Sequence, residues 1–216
     1  MKAVVLDFDG VIADTLHINF EVKAEAFRPY GIELSLQEFI DIWVSPEPGK
    51  EGTPYFVKLK GLKISPEESL RGQRAMAQNL FRERAEPMPG ALELIKLLKG
   101  MNLRVGIVSS NYKKSVGLFL RKFGIEKDFE FVVASEDCKR HKPFPDPYLM
   151  AVKRFGLSPG QILAVEDADT GVESAKLAGC AVLAVPNRFT EHEDFSKADL
   201  VLKSLGEIDE KLLSQF

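Results

Sequence analysis

The chain has 216 residues, 45% of them apolar and 28% charged, with a net charge of −3 at pH 7. This is the mix of a globular protein with room for one large domain and a smaller insertion, and it excludes intrinsic disorder. With no long basic run, nucleic acid and anionic membrane are excluded as main partners.

Apolar runs such as residues 180–185 are far shorter than the roughly 20 residues that cross a bilayer, so no membrane partner is expected. The N-terminus lacks the apolar core and small-residue cleavage site of a signal peptide, and the cytoplasm is the expected location. Cys138 and Cys180 are too few and too separated for a disulfide framework or a paired zinc or redox site, and free thiols are expected.

In chain order, residues 3–6 (Ala-Val-Val-Leu) form a continuous apolar run, the mark of a parallel strand buried on both faces, and lead into Asp7-Phe8-Asp9-Gly10. From about residue 15 to residue 84 no such run occurs. Leu16, Phe20, Ala24 and Phe27 instead fall at helical spacing. Ser35 with Glu38, and Ser65-Pro66 with Glu68, read as capping boxes that open helices. Residues 44–55, with two prolines before Gly-Lys-Glu-Gly, read as a loop. The stretch 15–86 is therefore predicted to be a helical insertion. Lys58, Lys60 and Lys63 within it read first as a solvated basic face.

Beyond it, apolar runs at 103–108, 131–133, 162–165 and 181–185 alternate with helical patterns at 91–99, 113–123, 147–155 and 170–178. Gly100, Gly124, Gly156 and Gly179 stand where a left-handed residue would close each helix. Alternation of this kind predicts an α/β fold, a parallel sheet with helices on both faces, built from residues 1–14 and 87–216.

In open α/β sheets, ligands bind beyond the C-terminal ends of the strands. The first predicted strand ends in Asp7 and Asp9, the second in Ser109-Ser110-Asn111, and the fourth in Glu166-Asp167, with Lys142 in the loop after the third. Carboxylates crowded at one edge with a single lysine need a further cation to stay ionised. A hard, oxygen-lined site suits Mg²⁺ bridging to a phosphate.

Asp7 can then attack phosphorus as a covalent nucleophile, and Asp9 can protonate the leaving oxygen and later accept a proton from water. Lys142, Ser109, Ser110, Asn111 and backbone N–H groups of Phe8 to Gly10 are the expected phosphate ligands. Taken singly, each has a plainer reading. Asp-x-Asp-Gly is a common turn, Ser109 to Asn111 can cap the next helix, and Asp14 reads as a cap for the first insertion helix. An EF-hand reading fails, because no Glu stands twelfth from Asp7 and a strand precedes the loop.

Taken together, Asp7-Phe8-Asp9-Gly10-Val11-Ile12-Ala13-Asp14-Thr15, Ser109, Lys142 in His-Lys-Pro-Phe-Pro-Asp-Pro, and Glu166-Asp167-Ala168-Asp169-Thr170-Gly171 resemble the four motifs of the haloacid dehalogenase superfamily. Order and spacing match over essentially the whole chain. The insertion directly after the first motif resembles the branch of β-phosphoglucomutase and phosphoglycolate-type phosphatases. The resemblance implies a Rossmann-like core of strand order 3-2-1-4-5 and a helical cap that closes over the substrate. It also implies Mg²⁺ contacted by Asp7, the Asp9 backbone carbonyl and Asp167, with Glu166 close by.

Dehalogenases and phosphonatases of the family lack the second acid, so Asp9 favours phosphate esters. Mutases carry a cap histidine where this chain has Asn19, and an arginine-containing loop where residues 44–55 offer only Lys50; His17 sits two positions early. The expectation is a Mg²⁺-dependent phosphatase for a small phosphomonoester, a sugar phosphate or related metabolite. A phosphomutase, or a phosphate-binding protein without turnover, are the alternatives. Asn19, Trp43, Lys50 and Tyr55 are the candidate substrate selectors, although Trp43 at helical spacing from Phe39 and Ile40 also reads as cap core. Oligomeric state stays open, with a monomer favoured.

Overall fold

The computed structural model describes residues 1–44, 46, 49–50 and 52–216; Ser45, Glu47, Pro48 and Glu51, inside the expected loop 44–55, lie outside the described residues. The chain divides into two compact units, Met1–Asp14 with Glu86–Phe216, and Thr15–Ala85.

The first unit opens with β1, Ala3–Leu6, whose four side chains are all buried. The chain then makes one tight turn, in which the Ile12 and Ala13 N–H groups both donate to the Phe8 carbonyl, and enters β2, Ala13–Asp14.

The helical unit follows: α1 (Leu16–Phe27), α2 (Leu36–Phe39) continuing through a wide π-type turn at Ile40–Val44, α3 (Gly52–Leu59) and α4 (Pro66–Arg84). Ser35 and Glu38 form the expected reciprocal capping box. At Ser65 only half of it forms: its hydroxyl accepts from the Glu68 N–H but donates to Glu67.

The expected loop is shorter than predicted, because α3 already includes Tyr55. Gly52, with φ of 72°, opens α3 directly. α1 spans the helical spacing of Leu16, Phe20, Ala24 and Phe27, and its fully buried residues are Ile18, Val22 and Phe27. A helix in a small bundle is contacted on more than one side, so a single apolar stripe does not define its inner face. Phe27, Phe39, Trp43 and Phe56 form the aromatic centre of the unit, with ring centroids 4.7 to 6.3 Å apart. Lys60 is paired with Glu38 at 2.5 Å, so it is not simply a solvated lysine.

Returning to the first unit, β3 (Glu86–Pro87) pairs antiparallel with β2. Asp14 thus sits in a strand opposite Glu86 rather than at the helix N-cap, which falls to Thr15. The chain continues through α5 (Ala91–Gly100), β4 (Arg104–Val108), α6 (Lys113–Lys122), β5 (Val132–Val133), α7 (Asp146–Phe155), β6 (Ile162–Glu166), α8 (Asp169–Leu177), β7 (Ala181–Ala184) and β8 (Leu200–Val201). Gly124, Gly156 and Gly179 take the left-handed conformation after α6, α7 and α8 as predicted, but Gly100 lies within α5 and the left-handed residue after it is Asn102, φ 55°. Asn is the residue other than glycine that adopts this conformation most readily.

The sheet runs β5-β4-β1-β6-β7-β8, all parallel. The first five strands keep the expected 3-2-1-4-5 order; β8 is an addition at the edge, a two-residue strand with both side chains exposed. Side chains alternate across a strand. Ala3 and Val5, Ile162 and Ala164, and Val182 and Ala184 pack with Tyr148, Ala151 and Phe155 of α7 and with Val172 and Ala175 of α8. The intervening Val4, Leu6, Leu163, Val165 and Leu183 are equally buried, which requires a second layer on the other face. α5 packs on β4, and Phe119 of α6 meets Phe8 edge-on at 5.2 Å.

Register aligns the strand ends. Leu6 pairs with Ile107 on one side and with Val165 on the other. Asp7, Ser109 and Glu166 therefore emerge at one edge of the sheet. Among the described residues no helix is long and apolar enough to cross a membrane, and both cysteines are free.

Candidate active site

The site is built at that edge. Asp7 follows β1 directly, with its N–H donating to the Val165 carbonyl at 3.0 Å, so its side chain starts from the rigid centre of the sheet. Glu166 ends β6 and Asp167 is the next residue. One carboxylate oxygen from each of Asp7, Glu166 and Asp167 lies within 4.8 Å of the others, and all three residues are buried. Lys142, in the loop before α7, reaches into this group. Its ammonium pairs with Asp7, lies 2.7 Å from Glu166, and donates to the Val108 carbonyl at 3.4 Å.

Charge is out of balance here. Burial raises the Asp7 carboxyl well above its usual range; Lys142 pulls it back, and Glu166, Asp167 and Asp9 push it up again. Burial likewise raises Asp167, with Glu166 adding to it. Burial alone would lower Lys142, yet Asp7 and Glu166 hold its pKa above the ordinary value. A site with three buried carboxylates and one lysine is short of positive charge, and all its acids offer oxygen. That donor set fits a hard divalent cation such as Mg²⁺.

Asp9, expected to meet the metal through its backbone carbonyl, does not lend its carboxylate to the three-carboxylate group. Its side chain is only partly buried, and both of its oxygens lie 3.3 Å from the Asn111 amide nitrogen. Asn111 is itself oriented, because its Oδ1 accepts from the Tyr112 N–H at 2.8 Å. Ser109 is buried and accepts the Asn111 N–H at 2.9 Å. Ser109 and Asn111 thus shape the turn after β4; the N-cap of α6 is Tyr112. Ser110 is exposed.

The Phe8 N–H meets no backbone carbonyl among the described residues, whereas the Gly10 N–H is spent on Ala13 at 2.9 Å. The expectation that Gly10 lends its N–H to phosphate is therefore corrected. What Gly10 supplies is the absence of a side chain. Its φ is 83°, and a Cβ there would stand 2.1 Å from Asp167 Oδ2 and 2.6 Å from Asn187 Nδ2.

Three further residues have roles at the site that the sequence does not assign. Asn187, two positions past the predicted fifth strand, donates from Nδ2 to Asp167 Oδ2 at 2.7 Å. The strand-end rule applied there would have found it. Tyr148 is fully buried and its hydroxyl donates to Glu166 Oε1, but nothing in a helical Tyr announces this. Gly171 lets α8 pass close to Glu166, where a Cβ would lie 2.1 Å from Oε2. Of the candidate selectors, Asn19, Trp43 and Tyr55 are partly buried and Lys50 is exposed, all within the helical unit. Trp43 packs in the aromatic centre of that unit.

Residues 4–185 match the family of haloacid dehalogenase-like hydrolases. A putative phosphatase, YhcW, of Bacillus subtilis is 34% identical over 215 residues, covering 99% of this chain and 96% of its own. A fructose-1-phosphate phosphatase, YqaB, of Escherichia coli is 27% identical over 81% of this chain and 91% of its own. The crystal structure of CbbY from Rhodobacter sphaeroides in complex with phosphate shares the fold, with a TM-score of 0.84 at 23% identity and 96% of both chains covered. The chain belongs to the haloacid dehalogenase-like hydrolases, in the branch of phosphoglycolate phosphatase and β-phosphoglucomutase.

Proposed function

We propose that the protein hydrolyses a small soluble phosphomonoester, a sugar phosphate or related metabolite, in a Mg²⁺-dependent reaction through an aspartyl phosphate on Asp7, with the cytoplasm as its compartment. The observation that carries this reading is the gathering of Asp7, Glu166 and Asp167 within 4.8 Å, buried, with Lys142 as their shared cation.

Asp7 and Asp167, with the Asp9 backbone carbonyl, would hold the ion. Glu166, engaged by Lys142 and Tyr148, supports it from behind. Once bound, Mg²⁺ supplies positive charge that lets an anionic nucleophile and a phosphate dianion approach each other. The Asp7 oxygen forms a bond to phosphorus as the ester P–O bond breaks, and Asp9 gives its proton to the departing oxygen. Water then attacks the aspartyl phosphate, Asp9 takes the water proton, and Asp7 and inorganic phosphate are released. Lys142, the Ser109 hydroxyl and the Phe8 N–H are the donors for the equatorial oxygens. Asn111 keeps Asp9 aimed.

The relatives support a phosphorylated metabolite as substrate. They include a phosphorylated carbohydrates phosphatase of Thermotoga maritima, 28% identical over 83% of this chain. A phosphomutase is the second reading, motivated by the fold likeness to a putative β-phosphoglucomutase of the same organism, TM-score 0.71 at 26% identity. Asn19 in place of the mutase histidine weighs against it. The test is phosphate release over a panel of sugar phosphates, glycolate phosphate, glycerol phosphates and nucleotides, with Mg²⁺ or EDTA, beside Asp7→Asn. Release that stops with EDTA and falls by on the order of a thousandfold in Asp7→Asn is expected. Full release from Asp7→Asn would overturn the nucleophile; isomerised sugar phosphate without release would replace hydrolysis by mutase chemistry.

A further inference from the structure

A second polar cluster lies wholly within the helical unit, separate from the carboxylates. Lys23 of α1 is partly buried, and its ammonium donates to the Gln73 amide oxygen of α4 at 2.8 Å. The same oxygen accepts from the Thr53 hydroxyl of α3 at 3.2 Å, and the Gln73 amide nitrogen donates to Ser69 at 3.0 Å. Gln73 and Thr53 are each 2% exposed. One neutral oxygen, Gln73 Oε1, serves two donors here.

Donors are in excess. An ammonium carries three N–H groups, and among the described residues no carboxylate meets Lys23. The Lys23 nitrogen stands over the Trp43 ring, 5.9 Å from its centroid, and the buried Trp43 indole N–H has no acceptor among the described residues. Burial first, and then the like charge of Arg74, lower the Lys23 pKa to about 8. A cation with no carboxylate beside it, and an indole N–H with no acceptor among the described residues, leave hydrogen-bonding capacity that an anion would fill.

We propose that Lys23 and the Trp43 indole N–H form an anion subsite of the helical unit that takes a small oxyanion, a phosphate, sulfate or carboxylate group. Lys23 supplies the charge and Trp43 a directed N–H. Gln73 and Thr53 hold the lysine in place without neutralising it. A donor-only site of this kind selects oxygen anions over neutral hydroxyls, which need a donor returned. The oxyanion comes either from a second charged group on the enzyme's substrate or from a free inorganic anion.

Trp43 is the single tryptophan of the chain, so indole fluorescence reads this site alone. The full-length protein is titrated with sulfate, in parallel with Lys23→Met, Lys23→Arg and Lys142→Met, the last to disable anion binding beside Asp7. The expected result is a saturable fluorescence change in the wild type, retained in Lys142→Met and Lys23→Arg, with affinity about tenfold weaker in Lys23→Met. Thermal unfolding of Lys23→Met should be at or above that of the wild type, since an uncompensated charge is removed.

No saturable change in the wild type, or an equal response in Lys23→Met, overturns the subsite. A second arm rests on the phosphatase reading and compares KM for esters with and without a second anionic group. A rise in Lys23→Met confined to the doubly charged ester assigns the oxyanion to substrate, and unchanged KM for both assigns it to a free anion. The fluorescence arm stands whatever the reaction proves to be.

Discussion

Gly171→Ala tests whether the carboxylate cluster depends on a helix position without a side chain. In an exposed helix interior this exchange stabilises by about 1 kcal/mol. Here a Cβ would stand 2.1 Å from Oε2, 2.2 Å from Cδ and 2.4 Å from Oε1 of Glu166. That carboxylate is 1% exposed and held by Lys142 at 2.7 Å and by the Tyr148 hydroxyl. It cannot swing into solvent, so either α8 moves off the sheet or Glu166 leaves its two donors. Overpacking costs about 1–3 kcal/mol and a lost hydrogen bond to a charged group about 1.5–3 kcal/mol. With both costs incurred and the helix gain set against them, the net loss is about 1.5–5 kcal/mol, a fall in Tm on the order of 10 °C. The assay is thermal and urea unfolding followed by circular dichroism, with phosphate release measured on the same preparations. A variant as stable as the wild type with unchanged kcat/KM would refute the confinement of Glu166.

Other perturbations probe the neighbouring contacts. Tyr148→Phe removes a buried donor from Glu166 and should cost about 1–3 kcal/mol in urea unfolding; an unchanged midpoint would deny that bond any weight. Asn187→Ala leaves Asp167 Oδ2 without its 2.7 Å donor, and the Mg²⁺ concentration for half-maximal phosphate release should rise about 10- to 100-fold. An identical Mg²⁺ dependence would exclude Asn187 as an orienting group.

Glu193 accepts the Asp169 N–H at 2.5 Å, and burial raises its pKa from an ordinary 4.5 to about 8. Between those values the folded chain keeps a proton that the unfolded chain releases. Its contribution is therefore full below the unfolded value and lost as pH rises through about 8. Glu193→Gln should flatten the fall of the urea midpoint over that range, and parallel curves for the two proteins would show that Glu193 does not set the slope.

Much of this was legible in the sequence because the signals were local. Short apolar runs, glycines after α6, α7 and α8, and the Ser35–Glu38 capping box are patterns that neighbouring residues impose on one another. The strand-end rule picked out Asp7, Ser109, Lys142, Glu166 and Asp167 before any geometry was known. β8 gave no signal, since a two-residue edge strand with both side chains exposed has no periodicity to read.

The sequence by itself determined the α/β alternation, the helical insertion after the first strand and which acids stand at the strand ends, because each follows from spacing along the chain. Only the tertiary structure decided how those acids are held. Asn111 reaches Asp9, Asn187 reaches Asp167, Tyr148 reaches Glu166, and Gly10 and Gly171 clear the space the carboxylates occupy. These contacts join residues 18 to 102 positions apart, or depend on what a missing Cβ would strike. They exist only once the parallel register has brought the strand ends together, and no pattern of neighbouring residues encodes that.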